Sequence, residues 1–477
     1  MKNLYTITII LLVSSLYACS DLLEEEVFGE LAPSNFFNNQ EDAESILNAA
    51  YANSQGYRDL ARDYLTFGEF NTDLALQREG AISTFIHPVE NFTWDSTHPW
   101  LQGLWARYYS AIYRTNTILD YVPDIEMDEE RKRQILAEAR FLRAFNYFYL
   151  YDLFGPTPLI VSSLTSVDDR PERALAEEFQ KFIEDELRDV SAILPATQAQ
   201  YPRATKGAAL GFLCKFYLNN RKWQEAAATA QEIIESNDYE IFMGNHRADL
   251  FALGNEGNKE FLFAVPFIAH SAIGNTYLSH AAPPGYRFQF PPKVNFAAQF
   301  KIYSDFIDTF EPDDQRLAAF LFEYTNQAGN TVVLGTDDAR SFKYPEDPNG
   351  VGDVSSNDFP LLRYADILLS RAEALNELSG PNEESISLIN EVRQAARVSP
   401  VSLADFTDQS DLRDFILAER GREFHTEALR RQDLIRHGRF IASALSRGMP
   451  ASPHHVLYPI PQVEMDANPN LIQNDGY

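Results

Sequence analysis

Cysteine is nearly absent from this chain, which has two in 477 residues, Cys19 and Cys214. Cys214 sits in an apolar, helix-like stretch with no evident intrachain partner, so the fold has to stand without a disulfide. A chain of this length, with about 450 residues beyond its first segment, can bury a core large enough for that. Basic clusters are missing as well. The 40 Lys and Arg are outnumbered by 69 Asp and Glu, a formal charge of −29, and no Lys/Arg run longer than the three residues Arg131-Lys132-Arg133, set directly after Glu129-Glu130, interrupts the field. Such a surface repels nucleic acid and anionic lipid, which argues against nucleic acid as a partner. No Gly/Ser-rich linker or low-complexity stretch divides the chain. Also lacking are a Gly-x-Ser-x-Gly elbow, a His-Glu-x-x-His helix, a phosphate-cradling Gly loop and a Cys cluster. No catalytic residue, metal ligand or cofactor is therefore assigned. Two carboxylates brought together by folding leave no local signature, so a surface glycosidase stays open as an alternative.

What is present starts at the N-terminus. Lys2 precedes an apolar run, Leu4 to Leu16, too short and too early for a membrane span. Leu16-Tyr17-Ala18-Cys19 follows, and this resembles a bacterial lipobox, with Tyr17 bulkier than usual at its place. The resemblance implies a signal peptide over residues 1–18 and a diacylglycerol on the Cys19 thiol. Several acyl chains, at about 0.8 kcal/mol per buried methylene, would hold the protein on a membrane almost irreversibly. Removing residues 1–18 takes away one Lys and no acid, leaving 39 basic and 69 acidic side chains and a formal charge of −30. The acidic run Ser20-Asp21-Leu22-Leu23-Glu24-Glu25-Glu26 would be repelled by anionic headgroups, so residues 19–30 read as an extended tether. It also resembles the export signals of surface lipoproteins in Bacteroidetes-type bacteria.

Residues 31–477 read as one predominantly α domain. It has a helical N-terminal part to about 240, a loop-rich part over about 241–358, and C-terminal helices with a tail over about 359–477. Apolar spacings of three and four predict helices over 41–56, 100–122, 129–153, 171–194, 205–220 and 222–236. Phe141, Ala144, Phe145 and Phe148 share one helical face, and Gly155-Pro156 ends that helix. Small Ala residues against large Trp, Tyr and Leu in the 205–236 pair resemble a tetratricopeptide-type hairpin, without a strict repeat period. From 240 to 358, Pro266, Pro283, Pro284, Pro291 and Pro292 exclude long helices. Helix returns at 360–378, 383–397 and 411–424, and the last 25 residues read as an extended, Pro-rich tail. Long irregular loops on a rigid scaffold are where binding residues usually sit.

Two regions mix flat aromatic platforms with hydrogen-bonding groups, as a sugar ring requires. In the first, Asp73 and Arg78 precede Trp94 and Trp100. In the second, Tyr286-Arg287-Phe288-Gln289-Phe290 alternates, placing its aromatics on one face of an extended segment. Asp73, Arg78, Trp94, Trp100, Tyr286 and Phe288 are therefore the candidate ligand-binding residues, with core packing as the competing role for each ring. Asp347-x-Asn349 followed by Asp353 faintly echoes a calcium loop, but Val351 stands where an oxygen ligand is wanted, and no site is claimed. The adjacent His454 and His455, on an extended tail, should point to opposite sides.

Several segments resemble the SusD/RagB family, in family order. They include Trp105-x-x-x-Tyr109-x-x-Ile112-x-x-x-Asn116 and Glu138-Ala139-Arg140-Phe141-Leu142-Arg143-Ala144-Phe145 through Leu153-Phe154-Gly155-Pro156. Asp358-Phe359-Pro360-Leu361-Leu362-Arg363-Tyr364, Ala372-Glu373-Ala374, Leu388-Ile389-Asn390-Glu391-Val392-Arg393 and Glu419-Arg420-Gly421-Arg422-Glu423-Phe424 follow. Pro459-Ile460-Pro461 and Asn468-Pro469-Asn470 through Tyr477 close the series. A departure is Ala428-Leu429-Arg430-Arg431-Gln432-Asp433, where the family usually places an aromatic ahead of the Asp. The resemblance implies a non-enzymatic lipoprotein on the outer surface of the outer membrane. It would capture oligosaccharides, or in some members peptides, as a lid on a SusC-like TonB-dependent transporter. The implied fold is a tetratricopeptide-like helical-hairpin scaffold with long irregular ligand-binding loops, and the first aromatic region falls where the family places part of its ligand face. The charged motif residues, Arg140, Arg143, Arg363, Glu373, Glu419, Arg420 and Glu423, read instead as ion pairs between helices. The terminal Asn and Gln residues read as side chains that satisfy turn backbone.

Overall fold

The computed structural model describes residues 37–477, apart from Gly56, Glu79, Val167, Pro292 and residues 297–299. Cys19, the signal segment and the acidic tether lie outside the described residues. The first eight helices are α1 (Gln40–Gln55), α2 (Leu60–Gly68), α3 (Ser83–Glu90), α4 (Pro99–Tyr121), α5 (Glu129–Phe154), α6 (Ala176–Ser191), α7 (Lys206–Asn219) and α8 (Trp223–Ser236). Then come α9 (Tyr277–Ala281), α10 (Ser304–Ile307), α11 (Tyr364–Ser379), α12 (Glu383–Ala395), α13 (Gln409–Phe424), α14 (Arg430–Arg436), α15 (Phe440–Ser446) and α16 (Gln462–Ala467). The strands are short: β1 (Ala75–Gln77), β2 (Phe261–Val265), β3 (Phe300–Ile302), β4 (Phe320–Leu321), β5 (Glu323–Thr325), β6 (Thr331–Val333), β7 (Arg340–Ser341) and β8 (Phe359–Arg363). They form antiparallel pairs β1–β3, β2–β8, β4–β7 and β5–β6.

The helices stack in neighbouring pairs. α4 lies along α5, α6 packs on α5 and α7, α7 pairs with α8, and α8 runs against α11, which pairs with α12. The tetratricopeptide-like stack thus continues from α8 to α11, and the loop-rich part is an excursion between two adjacent helices.

Helix α5 shows why the local sequence takes this form. Asp128 accepts a hydrogen bond from the Arg131 backbone N–H at 2.8 Å, and Glu129 and Glu130 occupy the first turn, where the positive end of the helix favours acids. Gly155, with φ of 73°, ends it, and Pro156 cannot continue it. Its buried face carries Phe141, Phe145 and Phe148 into a ring cluster with Phe212 and Phe263, where Phe145 lies 5.2 Å from Phe212 and 5.7 Å from Phe263 between centroids. Truncating such a ring to Ala costs about 3–5 kcal/mol.

Three boundaries differ from the sequence expectation. The helix expected from residue 171 starts at Ala176, beyond Pro171. The helix expected from Pro360 starts at Tyr364, because Phe359–Arg363 is a strand whose five residues are all buried. A two-stranded ladder has only edges, so Pro360 is tolerated there. Gly211 lets α7 approach this ladder: a Cβ at that position would lie 2.2 Å from Leu362 Cδ2. The tail is less extended than expected, with a 3₁₀ turn at Pro453–Val456 and the short helix α16.

The charged motif residues pair internally. Arg140 and Arg143 both reach Glu186, at 2.7 and 2.8 Å. Arg363 binds Glu423 at 2.9 Å and Glu427 at 2.6 Å. Glu419 is held by Arg316, Arg393 and Arg422 at 2.7, 3.0 and 2.7 Å. Arg420 joins Asp366 to Asp433, and Arg436 binds Glu373. Burial by itself would raise the Glu419 carboxyl, but the guanidinium groups of Arg316, Arg422 and Arg393 hold it at about 2. In the tail, Asn468 Oδ1 accepts from the Asn470 N–H at 3.1 Å, as expected of a turn, but other terminal amides fasten distant chain instead. Asn474 Nδ2 donates to the carbonyls of Phe154 and Tyr458 at 3.0 and 2.7 Å, and Asn468 Nδ2 donates to that of Pro171 at 2.8 Å. Cys214 is buried in α7, and burial pushes its thiol up to about 12.

Candidate ligand-binding site

The first aromatic region is largely turned inward. Trp94 is 4 % exposed. Its Nε1–H donates to the Tyr477 hydroxyl at 2.7 Å, and its ring packs on Phe92, His455 and Tyr458 at 5.1, 4.7 and 5.0 Å. It is a clasp for the C-terminal tail, and the expectation that it presents a stacking surface is corrected. His454 and His455 do not splay apart either: their rings lie 4.0 Å apart on the 3₁₀ turn. Burial and neighbouring His454 push the His455 imidazole down to about 4.

Asp73 is also paired within the protein, with its side chain partly exposed. Both of its oxygens accept from Arg430, each at 2.8 Å. Burial opposes the charge, yet that guanidinium holds the Asp73 carboxyl below its usual range. Around it, Glu69 accepts from the backbone N–H groups of Thr426 and Ala428 at 2.9 and 3.2 Å, and Asn71 Nδ2 donates to the Tyr458 hydroxyl at 2.7 Å. Residues 69–73 therefore weld the N-terminal helices to the 426–430 turn, and Asp73, partly exposed, is engaged as a structural pair. Trp100 is half-buried in the first turn of α4. Its ring stacks on Phe85 at 4.9 Å and lies 4.0 Å below the Arg62 guanidinium. Arg78 alone of the four is exposed, with Asp338 at 3.7 Å.

The second region builds a cluster. Tyr286 and Phe288 are both half-buried, and their rings meet edge to face at 5.0 Å. Tyr286 also packs on Tyr324 of β5 at 5.9 Å and on Phe342 at 5.3 Å. The backbone pairs antiparallel with the β5–β6 hairpin through Tyr286 and Asn326. Glu346 fixes the turn: its carboxylate accepts the Tyr286 hydroxyl at 3.0 Å and the backbone N–H groups of Gln289 and Phe290 at 2.8 and 3.4 Å. Burial, with the charge of Glu346 beside it, raises the Tyr286 phenol well above its ordinary value, so it stays a donor. Phe290 is 39 % exposed at the rim. The strict alternation expected over 286–290 gives way to a bend at Gln289 and Phe290.

Tyr324, Phe342 and Glu346 complete this cluster and were missed from sequence. They lie far from Tyr286 along the chain, and only the Asn326-Gln327-Ala328-Gly329-Asn330 turn between two β-prone runs hints that Tyr324 faces it. Arg78 is linked to this part of the chain through its partner. Asp338 also pairs with Arg340 at 2.8 Å, and Arg340 opens β7, beside Phe342. Rings packed edge to face and tilted around Tyr286, whose hydroxyl is fixed by Glu346, with exposed Arg and amide groups nearby in the chain, suit a ligand with apolar faces and hydroxyl edges. Among the described residues, no group of three or more His, Cys, Asp or Glu is placed to hold a metal ion.

Such a helical-hairpin scaffold with irregular loops is the fold of SusD-like proteins in known structures. A laminarin-binding SusD-like protein superposes with a TM-score of 0.79 at 24 % identity, over 92 % of this chain and all of that one. The family model described as the SusD family matches residues 339–477, and one described as starch-binding, associating with the outer membrane, matches residues 21–218. SusD-like protein P2 of Formosa agariphila is 28 % identical over 99 % of both chains. The starch-binding protein SusD of Bacteroides thetaiotaomicron is 25 % identical over 82 % of this chain and 81 % of its own. The chain is thus similar to SusD-like proteins along nearly its whole length, with the two family models matching separate parts of it. Relatives of this kind are described as binding proteins, and the model matching residues 21–218 as associating with the outer membrane. No described helix is long and apolar enough to cross a membrane.

Proposed function

We propose that this protein is a glycan-binding surface lipoprotein, anchored to the outer membrane through Cys19, that captures oligosaccharides and passes them to a SusC-like TonB-dependent transporter. The observation that carries this reading is the braced aromatic cluster of Tyr286, Phe288, Tyr324 and Phe342 on the loop-rich part. Tyr286 is its keystone, Phe288 and Tyr324 offer half-buried rings, and exposed Arg78 and Arg287 supply donors for sugar hydroxyls. Asp73 and Trp94 take no part in ligand contact. The protein binds without chemistry: the charged residues of its motifs are spent on internal pairs. Relatives named for starch and laminarin make α- and β-linked glucans the first ligands to try.

Calorimetric titration of the mature chain with maltohexaose and laminarihexaose tests this. At least one should bind, Phe288→Ala should weaken it by about tenfold, and the oligosaccharide should be intact after long incubation. Shortening of the oligosaccharide, stopped by an acid-to-amide substitution, would replace this reading with a glycosidase. The anchor is tested separately: Cys19→Ala should release the protein from the membrane fraction and abolish labelling with palmitate. Copurification of a large outer-membrane β-barrel in mild detergent tests the partner, through an interface well above the ~1,200–2,000 Å² of a standard complex.

A further inference from the structure

The segment that carries Tyr286 and Phe288 is fastened at both ends by two consecutive residues. Glu346 holds its first half, as described. At its other end the Lys293 ammonium donates to the backbone carbonyls of Asp347 and Gly350, at 2.7 and 2.5 Å. The Asp347 carboxylate does not meet this ammonium directly. It accepts from Asn349 N–H at 2.7 Å and from the N–H and Oγ–H of Ser356 at 2.8 and 2.6 Å, closing the 347–356 loop on itself. The loop's carbonyls are thereby turned toward Lys293. Gly350 leaves the room: a Cβ there would lie 2.2 Å from Lys293 Nζ. The main chain follows, with Lys293 bridging to Gly352 in parallel and Val294 N–H donating to the Gly352 carbonyl at 2.7 Å. Asp353, which completes the calcium-like spacing in sequence, is paired elsewhere, with Arg58.

A loop whose sequence faintly resembles a cation site thus has a tethered cation among its carbonyls. We propose that Lys293 is the resident cation of the 347–356 loop and a positioning residue for the ligand cluster, locking the 286–293 segment in its bound shape. This rests on the reading of that cluster as the ligand face. An ammonium donating to two carbonyls in a half-buried place is an ion–dipole contact that water competes with poorly. Burial lowers the Lys293 pKa from its ordinary value, and the charges of neighbouring Asp347 and Glu346 oppose that shift only in part. Because Glu346 and Asp347 are adjacent, any slackening at Lys293 is passed to the carboxylate that orients Tyr286. Preorganisation of this kind raises affinity by reducing the ordering that binding requires.

The test is hydrogen exchange on peptides spanning residues 284–296 of the mature chain, with methylammonium chloride as a replacement cation. Lys293→Ala should speed exchange at Gln289 and Phe290 by about tenfold and weaken the bound hexasaccharide by a similar factor, with little change in melting temperature. Methylammonium should restore both in Lys293→Ala and neither in Lys293→Met, whose side chain fills the cradle. Tetramethylammonium, which has no N–H to donate, should restore neither. Unchanged exchange in Lys293→Ala, or equal rescue by tetramethylammonium, would overturn the proposal. If the wild type binds neither hexasaccharide, the ligand reading fails, while the exchange results still decide whether Lys293 locks the segment.

Discussion

In residues 69–100 the Trp94 ring, the Asp73 carboxylate and the Asn71 amide are taken up by chain from the far end of the sequence. Tyr477 takes the Trp94 indole, Arg430 takes Asp73, and Tyr458 takes Asn71. In residues 286–346 the Tyr286 ring is braced from within the same irregular part, by Tyr324, Phe342 and Glu346. Composition is alike in the two regions. What separates them is whether a remote segment has complementary groups to close the surface, and the C-terminal tail does so for the first region alone. An aromatic, polar loop is thus a binding face only when the rest of the chain leaves it open.

The contrast breaks most sharply at Trp94. Trp94→Ala removes a buried ring and leaves the Tyr477 hydroxyl without its donor, so it should cost about 3–5 kcal/mol of stability. Chemical denaturation should show this, while the folded fraction keeps its affinity for oligosaccharide. Next comes Asp73→Ala, which leaves Arg430 buried without its carboxylate. A fully buried pair broken this way costs about 3–5 kcal/mol, and partial exposure of Asp73 reduces that to about 1–3 kcal/mol after screening. Its effect on binding should be nil. Tyr286→Phe is smaller and opposite in kind: it frees one Glu346 oxygen, with a loss of about 1 kcal/mol read in ligand affinity more than in melting temperature.

Helix legibility followed periodicity. The Pro99–Tyr121 and Glu129–Phe154 helices were readable to within a residue because their apolar positions recur at three and four and their ends carry Pro and Gly. The Phe359–Arg363 strand was not, since a continuous apolar run opened by Pro fits a helix start as well as a doubly buried strand. At the site, the alternation of Tyr286 and Phe288 was visible, but their partners Tyr324, Phe342 and Glu346 are single residues 38 to 60 positions away, with no local pattern. Trp94 was misplaced for the same reason: its partner Tyr477 is 383 residues distant. The ionic role of the motif residues was legible because charged groups on otherwise apolar helix faces must find partners inside.

A further expected effect concerns pH. Burial raises the Glu69 carboxyl from 4.5 to about 7, against two backbone N–H donors and nearby Lys343, with Glu427 adding to the rise. A carboxyl that binds its proton more tightly in the folded state stabilises the fold while protonated. Stability should therefore fall as pH rises from about 4.5 to about 7. Glu69→Gln should flatten part of that slope in melting curves. Part will remain, because Glu90 and Glu256 are likewise raised to about 7 by burial.

The most direct test of the central claim is a hydrogen-exchange footprint of the mature chain at saturating maltohexaose or laminarihexaose, whichever titrates. Protection is expected in peptides covering residues 284–294 and 320–346, with none in 92–100. Protection confined to 92–100, with the 284–346 peptides unchanged, would contradict the account.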